Sequence, residues 1–461
     1  MFRFSNMLIL KTTRDCNLRC EYCYIKNKDN YKGEMIDFKT YKTTIDRIVR
    51  ERKLQKTNER EIVIVFHGGE STLAKKEYMI KMLEYARSTF IKEGIRYKFG
   101  IQSNLTLIDD EYANILSKYD VFLGASFDGV GDANETRTKT FKENAFYKKF
   151  DLLVEHNIKP GFLMVVHSGN IDKVVESATF LEEKYNINSI KINYAEDVVG
   201  FGGEVSGKDF FEKAEKPFLE EFFKTGKLRE SNLENIITKF LVDYVITKQS
   251  HTSKGVCGIK VCGGGMTLIE LDPDGNASFC GRYSESYPEV HLENVKDKDV
   301  FSLHQIKRYI DFAFEKHKVI LDTGCDTCIA DGICDHGCMA FHYSKFGKWG
   351  IRTDLVCDNF KELYNYLVLN AEKVIIGLLK AHHNNGIAEI GLTEDIYRVN
   401  ESLRRSLKEE YNVDICISKR KKTLTIKDLE YTKRIREKKD NEIQKISIDN
   451  IVNIRENNKN Q

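Results

Sequence analysis

The sequence predicts an α/β protein: a parallel sheet, open or curled, followed by a cysteine-rich segment and a mixed helical extension. Three observations carry this reading. Short apolar runs alternate with helical patterns from Met7 to Asn193, and strand–helix alternation is the sequence signature of a parallel sheet. Cysteines crowd into two neighbourhoods, one near the amino end and one between Cys257 and Cys357. Helical and strand-like stretches return after Phe360, ahead of a very polar end.

The elements follow in order. Residues 7–11 form the first strand candidate and lead into a cysteine-bearing loop. Further strands are expected at 62–66, 97–102, 121–126, 161–166 and 189–193. Helical patterns separate them near 37–50, 75–90, 109–118, 142–155 and 171–184. In such a sheet, active residues belong at the C-terminal strand ends. Residues 1–201 are thus read as the core domain and 202–255 as a charged helical bridge. Within 256–360, strand-like runs at 266–271 and 277–280 flank Asp272-Pro273-Asp274-Gly275, which predicts a hairpin. The extension, 361–461, carries helical stretches near 361–382 and 393–410 and a hairpin at 414–426, and its last residues are expected to fray.

Composition narrows the function. Lys+Arg number 72 and Asp+Glu 70, so bulk electrostatic attraction to nucleic acid or membrane is not expected. The apolar stretch Met7 to Leu10 is too short for a signal segment, and no run approaches the roughly 18 apolar residues of a membrane span. A cytoplasmic chain is the default. There thiols stay reduced, so its 12 cysteines read as metal ligands or catalytic groups rather than disulfides.

The first cluster is Cys16-Asn17-Leu18-Arg19-Cys20-Glu21-Tyr22-Cys23. Three thiolates on one loop can hold three irons of a [4Fe–4S] cube and leave the fourth open for chemistry. A zinc site with a fourth ligand borrowed from elsewhere is the plainer alternative. The spacing, with an aromatic residue before the third cysteine, resembles the radical S-adenosylmethionine (SAM) family. His67-Gly68-Gly69-Glu70 after the second strand resembles that family's Gly-Gly-Glu motif. The resemblance implies a partial (β/α)6 barrel and a SAM molecule at the open iron, cleaved to a 5′-deoxyadenosyl radical. It places Tyr22 near the adenine, and the exposed backbone and carboxylate of Gly68, Gly69 and Glu70 at the SAM amino group. Ser103 and Asn104 at the third strand end, and Ser126 in Ser126-Phe127-Asp128-Gly129 at the fourth, resemble the polar strand ends around the ribose and methionyl carboxylate. Arg137 is a candidate partner for that carboxylate.

The second cluster comprises Cys257, Cys262, Cys280, Cys325, Cys328, Cys334, Cys338 and Cys357. Cys262-x12-Gly275-x4-Cys280, then Cys325-x2-Cys328-x5-Cys334-x3-Cys338 and Cys357, resembles the SPASM extension of radical SAM enzymes that modify peptides. Eight thiolates suffice for two fully ligated [4Fe–4S] clusters; two structural zinc sites are the alternative. The resemblance implies that Cys257, Cys262, Cys280 and Cys338 hold a nearer auxiliary cluster. Cys325, Cys328, Cys334 and Cys357 would hold a farther one. Both would move electrons, and a low-potential donor of flavodoxin or ferredoxin type would supply the first. Cys416, between Ile415 and Ile417, is read as a buried apolar thiol.

Three substrate readings remain open. One is a maturase of ribosomal peptides that forms thioether or other crosslinks. Its leader-binding domain often precedes the barrel, and the tail after residue 360 is the candidate substitute. The second is an anaerobic sulfatase maturase that makes formylglycine. Those enzymes carry an Asp proton acceptor directly after the Gly-x4-Cys cysteine; here Gly281 stands there, with Arg282 next. Asp272 and Asp274 in the same hairpin are weak catalytic candidates, since turn carboxylates are usually structural. The third reading is a non-catalytic iron–sulfur or zinc protein.

Overall fold

The computed structural model describes residues 6–25, 28–58, 60–138, 143–195, 200–246, 264–265, 267–282, 291–297, 303–334, 336–346, 354–382, 387–392 and 398–434. The polar end from residue 435 onward, expected to fray, lies outside them. Six parallel strands form as the alternation predicts: β1 (Met7–Thr13), β2 (Ile62–Gly68), β3 (Tyr97–Ser103), β4 (Val121–Ser126), β5 (Gly161–Val166) and β6 (Ile190–Tyr194). They pair in chain order, joined by α1 (Phe38–Gln55), α2 (Lys76–Glu93), α3 (Asp110–Lys118), α4 (Glu143–Glu155) and α5 (Val174–Tyr185). Right-handed crossovers repeated in one direction put all five helices on one face. Asp37 and Asp109 cap α1 and α3 by accepting from the Thr40 and Tyr112 amides, and Gly94 ends α2 at φ 64°.

Side chains alternate along each strand, and the register aligns that alternation across the sheet. Leu8, Leu10, Ile64, Phe66, Phe99, Ile101 and Met164 are buried on the helix-covered face. Met7, Ile9 and Lys11 stand beside Val63, Val65 and His67 on the other face. Gln102 pairs with Gly124, Ser126 with Leu163, and Val165 with Asn193 on that inner face. It turns polar toward the C-terminal strand ends, where Lys11, His67, Gln102, Ser126 and Asn193 lie.

The hairpin between the cysteines joins this sheet. β7 (Leu268–Leu271), β8 (Asn276–Ser278) and β9 (His291–Asn294) extend it to nine strands in the order β6-β5-β4-β3-β2-β1-β7-β8-β9. β7 runs parallel to β1 with Ile9 opposite Glu270. A sheet paired in chain order leaves the outer edge of β1 unpaired, and β7 satisfies it.

After β6 come α6 (Gly207–Phe210), a π-helical turn (Phe211–Glu215), α7 (Lys216–Thr225) and α8 (Ser231–Phe240). After β9 come α9 (Leu303–Asp322), α10 (Met339–Phe346), α11 (Asp354–Leu369), α12 (Ala371–Ala381) and α13 (Glu401–Tyr411). The chain forms two compact units that cut across the linear segments of the sequence reading. The first comprises Met1–Pro217, Arg229–Asn232 and Ser253–Glu362. The second comprises Phe218–Leu228, Leu233–Thr252 and Leu363–Gln461, so much of the bridge groups with the extension. The second unit holds a sheet of β10 (Ile387–Gly391), β11 (Val413–Ser418) and β12 (Thr423–Asp428), in the order β10-β12-β11. The expected hairpin is β11–β12; β10 was not expected. Cys416 corrects the sequence reading: it is only half-buried, because strand alternation turns it away from the face that buries Val413 and Ile415.

In the first unit, Glu215 and Asn359 are 3% and 0% exposed. The Glu230 carboxylate lies close enough to repel that of Glu215 and accepts from the Ile192 amide at 3.1 Å. Burial, then Glu230, pushes Glu215 up to about 8. Folded chains therefore hold a proton between an ordinary glutamate's 4.5 and about 8 that unfolded chains release. Stability should fall as pH rises through this window. Glu215→Gln is expected to flatten that slope and to stabilise the protein at pH about 8, read by urea unfolding across pH.

Candidate functional site

The amino-terminal cysteine loop leaves β1 at Thr13 and is fixed from several sides. Gly69 donates its amide to the Thr13 carbonyl at 2.8 Å, and Glu70 to the Asp15 carbonyl at 2.9 Å. A Cβ on Gly68 would overlap the Thr13 carbonyl oxygen, and one on Gly69 the Asp15 carbonyl oxygen. Further along, the Glu21 amide reaches the Thr136 carbonyl at 2.9 Å. Cys16 is buried, whereas Cys20 and Cys23 are part-exposed. Leu18 N and Asn104 Nδ2 approach the Cys16 sulfur at 3.4 and 3.9 Å.

Glu70 departs from the expected exposed carboxylate. It is 1% exposed and accepts from Thr72 N (3.1 Å), Thr72 Oγ1 (2.6 Å), Ser103 Oγ (2.9 Å) and Asn104 N (2.7 Å). Burial raises its pKa despite these donors. The side chain thus locks the ends of β2 and β3 together. Three of these donors reach Oε1 and one reaches Oε2, so Oε2 keeps a lone-pair position for a further donor.

Tyr22, Ser126 and Arg137 meet around a residue the sequence reading passed over, Asp128. The Tyr22 hydroxyl donates to Asp128 Oδ2 at 2.5 Å, and Val165 N to Oδ1 at 3.1 Å. Arg137 is 2% exposed; its Nη1 bonds the Ser126 carbonyl and Asn134 Oδ1 at 3.4 Å. Burial raises the Asp128 pKa and Arg137 opposes it. Ser126 Oγ accepts from Gln102 Nε2 at 2.8 Å, which continues the polar inner face.

At the opposite side of that face, Lys11 is 0% exposed and sits 3.0 Å from Glu270 and 3.2 Å from Asp272. Burial alone would lower the lysine pKa; the two carboxylates outweigh it and raise it. Burial, then Glu270, pushes Asp272 up to about 7 against the pull of Lys11. Asp274, by contrast, is an exposed turn residue that accepts from Asn276 N at 2.9 Å. His67 is next to Lys11 in the ladder. Burial, then Lys11, pushes it down to about 4, and Nδ1 accepts from Gly68 N at 2.7 Å. The neutral ring therefore carries its proton on Nε2. Lys11, His67 and Glu270 were missed, although a charged or polar residue on the inward phase of an apolar strand is a readable signal.

Cys325, Cys328, Cys334 and Cys357 line one cavity, together with Asp331 and His336. This is the set assigned to the farther cluster. Cys338 lies elsewhere, 3.7 Å from Arg282 Nη1. Two left-handed residues, His336 at φ 61° and Gly337 at φ 73°, turn the chain between Cys334 and Cys338. Cys257 and Cys262 lie outside the described residues. Among the described residues, no three His, Cys, Asp or Glu side chains converge as ligands of a single ion do. Thiolates spread around a cavity suit a cluster, whose own atoms fill the space between sulfurs, and four cysteine thiolates are the usual set for one.

Two substitutions test this architecture. Lys11→Met leaves two buried carboxylates without their cation and should cost roughly 3–5 kcal/mol in chemical denaturation, with part recovered by adding Glu270→Gln. Gly69→Ala should keep the sheet, by circular dichroism, yet lose the iron bound by the amino-terminal loop, by iron counting.

Residues 10–181 match the radical SAM superfamily. The cysteine-type anaerobic sulfatase-maturating enzyme of Clostridium perfringens is 23% identical over 384 residues, which cover 78% of this chain and 95% of that protein. The serine-type enzyme of Bacteroides thetaiotaomicron is 21% identical over 373 residues, 76% of this chain and 86% of that protein. In solved structures, the fold is similar to native anSMEcpe with bound AdoMet (TM-score 0.64, 19% identity, 80% of this chain and 99% of that one). It is also similar to Streptococcus suis SuiB bound to S-adenosylmethionine (TM-score 0.54, 17% identity, 77% of each chain).

Proposed function

We propose that this chain, a member of the radical SAM superfamily through residues 10–181, oxidatively modifies a peptide or protein substrate with the help of three [4Fe–4S] clusters. The observation that carries the reading is the amino-terminal trio, held by the Gly69–Glu70 clasp at the polar end of the inner face. A [4Fe–4S] cluster with SAM bound supplies a 5′-deoxyadenosyl radical that removes a hydrogen atom from the substrate. Cys16, Cys20 and Cys23 hold that cluster. Tyr22, Gly68, Gly69, Glu70, Ser103, Asn104, Ser126 and Arg137 line the cofactor position, with Asp128 holding the Tyr22 hydroxyl. Cys257, Cys262, Cys280 and Cys338 hold the nearer auxiliary cluster; Cys325, Cys328, Cys334 and Cys357 hold the farther one. A flavodoxin- or ferredoxin-type donor feeds electrons, in the reducing cytoplasm. Among the described residues, no helix is long and apolar enough to cross a membrane.

The substrate must also lose a proton. Asp272 is the candidate acceptor: it is buried beside Lys11 with a pKa raised to about 7, near the optimum for a general base at neutral pH. A side chain at Gly281 would lie 3.6 Å from Glu270 Cγ and 3.7 Å from the Tyr24 hydroxyl. Position 281 thus faces the Lys11–Glu270 cluster. Gly281, in place of the Asp of sulfatase maturases, favours a ribosomal peptide maturase that forms a thioether or other crosslink; Asp272 beside that cluster can serve as the acid of the second reading. Similarity to anSMEcpe, which is also seen with AdoMet and a peptide, keeps formylglycine formation as the second reading.

Anaerobic reconstitution with iron counting and dithionite tests the proposal. The chain should release 5′-deoxyadenosine from SAM. Cys16→Ala should reduce that release to background, while Cys334→Ala should keep it and lose product formation. Intact SAM over a fully loaded amino-terminal cluster would instead mark a non-catalytic carrier.

A further inference from the structure

We propose that Arg282 is a positioning residue that holds the Cys338 thiolate and raises the reduction potential of the cluster shared by Cys280 and Cys338. The inference rests on the two-auxiliary-cluster reading above and adds a residue outside its ligand set.

Arg282 follows Cys280 by two residues, and its Nη1 lies 3.7 Å from Cys338 Sγ. An arginine close in sequence to one of these cysteines thus touches the sulfur of the other. It is always protonated. A cluster with four thiolates gains negative charge when reduced, and burial resists that gain. A cation that donates to a ligand sulfur withdraws charge from it and favours the reduced form; hydrogen bonds to sulfur and local charge set such potentials.

The surroundings make the cation matter. Glu270 and Asp272 flank one lysine, Lys11, and a side chain at Gly281 would touch Glu270 and Lys11. The stretch beside Cys280 is thus one carboxylate in excess before Arg282 is counted. Two sulfur contacts at the farther set are neutral: Thr323 Oγ1 stands 3.1 Å from Cys325 Sγ and His336 N donates to Cys334 Sγ at 3.3 Å, with Lys361 also lining that cavity. On the proposed function, loss of a hydrogen atom would leave a substrate radical that gives one electron to an auxiliary cluster and one proton to Asp272, so that a closed-shell product remains.

The test uses the full chain with Cys16, Cys20 and Cys23 replaced by Ala, so that reconstitution fills the auxiliary sites alone. Reduced clusters are followed by EPR during potentiometric titration. The parent should show two transitions. Arg282→Met should move one of them to lower potential at unchanged iron and sulfide content and leave the other in place. Arg282→Gln, which keeps a donor and loses the charge, should move the same transition less. Thr323→Val should affect the other transition. Unmoved transitions in Arg282→Met, or equal movement of both, overturn the proposal. If Arg282→Met fails to assemble its cluster, an unshifted Arg282→Gln overturns it. A parent without auxiliary clusters overturns the underlying reading as well, whereas two clusters with potentials indifferent to residue 282 overturn this inference alone.

Discussion

The amides of Gly69 and Glu70 reach the carbonyls of Thr13 and Asp15, an approach that leaves no room for a side chain at positions 68 or 69. The placement of the amino-terminal cysteines depends on this clasp. It draws the loop after β1 against the end of β2, and the Glu70 carboxylate extends it to Ser103 and Asn104 at the end of β3. Three strand ends and one cysteine loop thus share a single hydrogen-bonded knot. Buried as it is, that knot tolerates no unpaired member: an unsatisfied polar group there would cost about 1–3 kcal/mol.

A second constraint comes from charge. Lys11 cannot be buried alone, and its partners come from β7, far away in sequence. Their ion pairs and the parallel ladder between Ile9 and Glu270 make the hairpin a continuation of the barrel sheet rather than a separate lobe. The consequence for chemistry is direct. The residue after the hairpin cysteine Cys280, Gly281, faces Glu270, Tyr24 and Lys11, and Cys280 and Cys23 both lie near Tyr24. Oxidation needs a place for an electron and a place for a proton, and this geometry brings candidates for both to one edge of the sheet.

The carboxyl-terminal cysteines solve a sorting problem. Cys334 and Cys338 are close in sequence, yet Cys334 lines the cavity with Cys325, Cys328 and Cys357, and Cys338 lies at Arg282. Left-handed backbone at His336 and Gly337 reverses the chain between them. For His336 this conformation carries a steric cost that Gly337 escapes. The Asp331 contact at 2.6 Å to His336 holds the residue in it.

Much of this was legible in the sequence, because local rules wrote it. Strand–helix alternation fixed six strands, and the bounds of β4 and β5 match to the residue. Cysteine spacing separated the trio from the later eight, and the Asp-Pro-Asp-Gly turn announced the β7–β8 hairpin. What tertiary structure decided was every relation that spans the chain: that β7 pairs with β1, that Lys11 finds Glu270 and Asp272, that Glu70 turns inward, and that Tyr22 meets Asp128. The reason is physical. Periodicity and turn chemistry act over a few residues and are stored locally. The partner of a buried charge or an open strand edge is set by which distant segment can satisfy it at least cost, and only the folded chain brings that segment near.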